Sequence, residues 1–153
     1  MKIRKAKQSE AKRLSELMTK DINLITSKKY SKKQISAMKR YVSKENIKGY
    51  IKKWDVFIAI EDKKILGTIT LDRNILVSPY VADSNNFVKD PIMENLLKFA
   101  EERVKKLGEH NIRLISLNTT KDYFQKKGYK IIERLILGKY VKFIEFMMEK
   151  RIK

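Results

Sequence analysis

Residues 74–117 constrain this chain more than any other stretch. Asn74–Ala82 reads NILVSPYVA, an apolar run of strand length. A polar loop, residues 83–89, follows it. Asp90 then sits at a helix N-cap with Pro91 at the first helical position, where its missing N–H costs nothing. Ile92, Met93, Leu96, Leu97, Ala100, Val104 and Leu107 recur at helical spacing, and Gly108 stops the helix. Ile112–Leu117 (IRLISL) is a second buried-type strand. A strand, a helix and a strand of these lengths read as a crossover that should be right-handed and set the two strands parallel and adjacent. Whatever else the chain does is built around that unit.

The remaining segments read as antiparallel strands and helices. Lys2–Ala6 makes a short strand. Ser9 reads as the cap of a helix with Leu14, Leu17, Met18 and Ile22 on one face. Residues 26–30 break it. Ser31 with Gln34 forms a capping box for a helix bearing Ile35, Met38 and Val42, and Ser43 opens a short third piece ending near Trp54. Val56–Glu61 and Ile65–Leu71 flank a tight Asp62-Lys63 turn and read as a hairpin. Thr120–Lys127 is a short helix ended by Gly128. Tyr129–Leu137 and Tyr140–Glu149 are strands separated by a turn at Gly138. The expected fold is α/β, a mixed, mostly antiparallel sheet flanked by helices, in the order β-α-α-β-β-β-α-β-α-β-β. No segment reads as a linker, so residues 1–153 read as one domain.

Composition excludes several chemistries. Without cysteine there is no disulfide, thiolate metal site or cysteine nucleophile, and a cytoplasmic location is expected. The single histidine, His110, lies in a Gly-Glu-His-Asn loop, and no metal site is expected. No apolar run approaches the roughly 18 residues a membrane span needs, and the charged N-terminus has no apolar core of a secretory signal. The net charge is +18, and residues 1–53 carry 17 Lys+Arg against 4 Asp+Glu. Such a field attracts polyanions and acidic ligands. The bases are 28 Lys to 8 Arg, however, and lysine is the less specific phosphate ligand.

Several phrases, in order, resemble the GNAT N-acetyltransferase superfamily across nearly the whole chain. They are Ile3-Arg4-Lys5-Ala6 before a Leu-rich helix, Ile65-Leu66-Gly67 in the hairpin, Leu96-Leu97-Lys98-Phe99-Ala100-Glu101, Lys126-Lys127-Gly128-Tyr129, and Phe146-Met147-Met148-Glu149-Lys150. The resemblance implies acyl transfer from acetyl-CoA to an amine by direct attack. It also implies that the strands on either side of the crossover splay, the open edge pairing with the pantetheine arm. Pro79, which cannot donate in a ladder, suits that edge. On this resemblance the N–H groups of Tyr80, Val81 or Ala82 polarise the acyl carbonyl, and Val88, Lys89, Ile92, Met93 and Asn118 contact the cofactor.

In that family a glycine-rich loop holds the pyrophosphate at the helix N-terminus. Here residues 87–93 contain no glycine, Pro91 has no N–H, and Asp90 fills the helix terminus with its own carboxylate. Weak acetyl-CoA binding is therefore expected. The proton donor to the leaving thiolate has two registers. Counting back from Gly128 gives Phe124; counting forward from Asn118 gives Tyr123, the expected catalytic residue. Asp72 and Glu61 at strand ends are candidate bases. The acceptor groove implied by the resemblance lies between residues 26–53 and the 137–140 turn, a basic side that favours an acidic small molecule or protein. The alternative is a catalytically impaired GNAT-fold module that binds protein or nucleic acid through the basic 28–53 face.

Overall fold

The computed structural model describes residues 1–26, 29–82 and 90–153. One seven-stranded sheet organises them: β1 (Lys2–Lys5), β2 (Asp55–Glu61), β3 (Lys64–Asp72), β4 (Ile75–Val81), β5 (Asn111–Leu117), β6 (Lys130–Leu137) and β7 (Phe143–Arg151), in the spatial order β1-β2-β3-β4-β5-β7-β6. Every neighbouring pair is antiparallel except β4–β5. The crossover therefore sits where the sequence places it.

Five helices cover the two faces: α1 (Ala11–Thr26), α2 (Lys32–Tyr41), α3 (Lys44–Lys53), α4 (Pro91–Lys106) and α5 (Lys121–Lys126). Strand alternation divides the apolar residues between the faces. Phe57, Ala59, Ile69, Leu71, Leu76, Ile112, Leu114 and Met148 pack with Met93, Leu96, Leu97, Ala100 and Val104 of α4 and with Phe124. Val56 and Ile58 pack on the other side with Leu14, Met18 and Ile22 of α1 and Ile47 of α3. Gly67 of β3 decides how α4 docks. A Cβ there would stand 2.9 Å from the Tyr80 carbonyl oxygen and 3.0 Å from both Ile92 Cγ2 and Leu96 Cδ1. Its absence lets the first turns of α4 settle against the end of β4.

Local chemistry sets most boundaries. Ser31 Oγ accepts from Gln34 N–H at 3.1 Å and Gln34 Oε1 accepts from Ser31 N–H at 2.9 Å, the reciprocal box the sequence announces. Ser43 caps α3 through Asn46 N–H, and this third piece is a full ten-residue helix. Asp62 and Lys63 have φ of 48° and 64°, the left-handed pair of a two-residue hairpin turn.

Two boundaries differ from expectation. Ser9 is not the cap of α1: a 3₁₀ turn, Gln8–Glu10, precedes the helix. There the Glu10 carboxylate accepts from Lys7 N–H at 2.8 Å and from the two terminal Arg4 guanidinium nitrogens, each at 2.9 Å. A buried, charge-assisted fork outcompetes a neutral hydroxyl for this position. Tyr140 is not in a strand; it is 87% exposed in the loop before β7, which runs from Phe143 to Arg151. Gly138, at φ 110°, starts that loop, and a Cβ would lie 1.9 Å from the Val141 carbonyl oxygen.

Candidate active site

The parallel pair β4–β5 is joined at only two register positions, Ile75↔Arg113 and Leu76↔Leu114. Beyond them β4 follows β3 and β5 follows β7, so the sheet opens between the two strands. Two features of β4 accompany the split. A register irregularity at Thr70/Leu71 bends β4 relative to β3. Pro79, on the side of β4 that would face β5, has no N–H to bond across.

The opening runs through the sheet. A cavity of about 80 Å3 is lined by Asp21 and Met38 from the α1/α2 face and by Thr120 and Phe124 from the α4/α5 face. Ser78, Pro79, Tyr80, Ile115 and Leu117 form its strand walls. On the α1/α2 face it widens into a groove of about 340 Å3 bounded by Tyr41, Leu137, Phe143 and Glu145. Met38, Ser78, Tyr80, Ile115 and Leu117 line both spaces. The two spaces therefore abut where β4 and β5 part.

The residues singled out from sequence take distinct places. Ala82 N–H is committed to the Leu66 carbonyl at 2.8 Å. Antiparallel alternation aims Tyr80 N–H the same way, toward Thr68, and turns Val81 N–H toward the opening. Ile92 N–H is taken by the Asp90 carboxylate at 2.9 Å, and the Met93 side chain is wholly buried under α4. Val88 and Lys89 lie outside the described residues. Asn118 follows β5 and lines a separate recess with Tyr30 and Gln34. Asp72 and Arg73 line a polar recess with Lys5 and Lys53, and Glu61 pairs with the chain's N-terminal ammonium at 3.2 Å.

Tyr123 and Phe124 are both buried, 5% and 2% exposed, with their rings edge-on at 5.2 Å. Phe124 lines the cavity; Tyr123 is absent from its walls. The Tyr123 phenol is pushed up to about 12, first by burial and then by the charges of Glu94 and Glu101 on α4. Lys127 Nζ lies 5.6 Å from its ring and 3.1 Å from Glu94 Oε1.

Sequence reading passed over two acids. Asp21 is only 5% exposed, and its Oδ1 has no hydrogen-bond partner among the described residues. Burial, with a contribution from the Asp90 charge, raises it to about 7 against the opposing pull of Val81 N–H. Its signal was visible: an acid at helical phase with Leu14, Met18 and Ile22. Glu145 faces the groove, and burial raises it above the ordinary carboxylate range. Tyr80, which joins both spaces, is pushed up to about 12, chiefly by burial.

A family model described as "Acetyltransferase (GNAT) domain" matches residues 26–150. The chain belongs to the GNAT acetyltransferase family. Solved GNAT structures share its fold along the full length. A GCN5-related N-acetyltransferase of Rhodopseudomonas palustris superposes with a TM-score of 0.88 at 16% identity, covering 98% of this chain and 94% of that one. The PaiA N-acetyltransferase of Thermoplasma acidophilum, solved with coenzyme A, gives 0.77 at 22% identity and 98% of each chain. An aminoglycoside 6'-N-acetyltransferase of Enterococcus faecium gives 0.66 at 16% identity, with 100% and 98% covered. At these identities the likeness is one of fold. No curated protein matches the sequence. Among the described residues this GNAT domain has no helix long and apolar enough to cross a membrane and no His/Asp/Glu cluster suited to a metal ion.

Proposed function

We propose that the protein transfers an acetyl group from acetyl-CoA directly onto an amine, at the opening between β4 and β5. The opening itself carries this reading. Its walls come from both faces of the sheet, so a thioester reaching it past α4 and α5 meets a nucleophile held over α1 and α2. The amine lone pair attacks the thioester carbonyl carbon. A C–N bond forms, the C–S bond breaks, the nitrogen gives up a proton and the thiolate gains one. Val81 N–H, turned toward the opening and engaged there by the Asp21 carboxylate, is the β4 donor that would polarise the carbonyl oxygen, where negative charge grows, once Asp21 gives it up. Solved relatives carrying coenzyme A support the donor. Thiol release from acetyl-CoA across a panel of primary amines tests the reading. No release with any amine, alongside intact polyanion binding, would leave the protein as a binding module.

The donor should bind weakly. Of the first N–H groups of α4, Pro91 has none and Ile92 is capped by Asp90. A phosphate docking at this terminus would meet a carboxylate already in place. Each lost charge-assisted contact is worth roughly 1.5–3 kcal/mol, so calorimetry should return a dissociation constant well above the micromolar range. Asp90→Asn keeps the cap and removes the charge. It should tighten binding several-fold, and unchanged affinity would mean that the phosphates sit elsewhere.

A second surface takes polyanions in this reading. Across α2 and α3 stand Lys32, Lys33, Lys39, Arg40, Lys44, Lys48, Lys52 and Lys53 with Glu45 as the only acid. Lys28 lies outside the described residues. Heparin or RNA should bind at about 50 mM salt and release steeply toward 200 mM. Changing Lys32, Lys33, Lys52 and Lys53 to glutamine should flatten the salt slope. Equal binding by that variant would remove the role.

A further inference from the structure

The surface above the groove and the groove itself differ in charge. The rim helix α2 is strongly basic, yet the described lining of the groove contains no lysine or arginine. Its ionisable side chains are Tyr41, Tyr80 and Glu145. The rest is apolar or small: Met38, Val77, Ile115, Leu117, Leu137 and Phe143 among them. Glu145 stands on β7 opposite Leu117 of β5 and Leu135 of β6, and the Lys142 ammonium at the groove's edge is held by the Gly138 carbonyl at 2.7 Å.

A half-buried carboxylate with apolar neighbours is costly unless something positive covers it. Burial raises Glu145 from its ordinary value, and its charge in turn is felt by the phenols of Tyr30 and Tyr80. A space of about 340 Å3, walled by aromatic and aliphatic side chains with one acid, fits a small cationic molecule with an apolar body.

We infer that the groove receives a primary alkylamine carrying an aromatic or aliphatic body, with its ammonium on Glu145. This rests on the acetyl-transfer reading for the identity of the groove as the acceptor side. Glu145 then holds the ammonium and accepts the proton that must leave before nitrogen attacks, while the apolar body lies along the groove wall that includes Phe143 and Tyr41. The basic rim plays no part in holding this acceptor. It repels polycations and thereby narrows the choice to monoamines.

The test uses phenethylamine, its neutral and acidic counterparts 2-phenylethanol and phenylacetate, the acidic amine aspartate, and the Glu145→Gln variant. Amine binding is measured by calorimetry, with and without coenzyme A, and thiol release is followed separately. Phenethylamine should bind at least ten-fold more tightly than the alcohol or the acid. Glu145→Gln should erase that margin and lower thiol release about 10²-fold, with coenzyme A affinity unchanged. Equal phenethylamine binding by wild type and Glu145→Gln would overturn the inference, as would acetylation of aspartate in preference to phenethylamine. Phenethylamine binding that depends on Glu145, with no thiol released, would sustain this inference and sink the acetyl-transfer reading instead.

Discussion

Asp21→Asn should stabilise the protein at pH 8 and leave it little changed near pH 4. The warrant is a carboxylate that burial carries from 3.8 to about 7. Between those values the folded state binds more protons than the unfolded one, so stability falls as pH rises through the window. The whole difference corresponds to roughly 4 kcal/mol at about 1.4 kcal/mol per pH unit. For a chain of this size that is on the order of 10 °C in melting temperature. Burial raises Glu145 too, in the same direction; Glu10 is held low by Arg4 and loses its contribution as pH falls. Comparing the variant with wild type at each pH isolates Asp21 from both. Thermal melts at pH 4, 6 and 8 make the measurement. A wild-type curve parallel to the variant's would mean that Asp21 is solvated. The same substitution removes a charge from beside Val81 N–H, so any gain in stability with loss of acetylation marks a buried acid retained for function.

Phe124→Tyr should raise the rate of thiol release by about 10²-fold, and Tyr123→Phe should change it less than twofold. A general acid is worth roughly 10²–10⁴ in rate. Adjacent residues on a helix point about 100° apart, so one of the two rings faces the opening. Phe124 is the ring in the cavity wall, while the Tyr123 phenol lies among the charges of Glu94 and Glu101. On the proposed acetyl transfer, the thiolate of the wild type would then leave without a phenol from α5, and the new hydroxyl at 124 would supply one. The cavity of about 80 Å3 leaves room for the added oxygen. Single-turnover thiol release for wild type and both variants decides it. A collapse of activity in Tyr123→Phe would assign the donor role to Tyr123 and reject this arrangement.

Both results turn on orientations that lie at different depths in the sequence. Segment order, the parallel crossover, the Ser31–Gln34 box, the Asp90–Pro91 start of α4 and the Asp62-Lys63 turn are written in neighbouring residues, because capping and turn formation are local interactions a few bonds in reach. Pro79 likewise announces an unpaired strand edge by what it lacks. Ser9 misled because its rival, the Arg4–Glu10 pair, forms only when β1 lies against the start of α1. The same limit applies to the site. Asp21 and Glu145 are far apart in the chain and meet the same opening only because β4 and β5 part and β7 pairs with β5. Tyr123 and Phe124 differ by one residue, and either ring fits the local pattern. The rotation of α5 about its axis is set by packing against α4 and the sheet. Sequence alone thus determined which main elements exist, and its family resemblance where the sheet would break; tertiary packing decided which side chains the break exposes, because burial and through-space charge act between segments that sequence spacing does not relate.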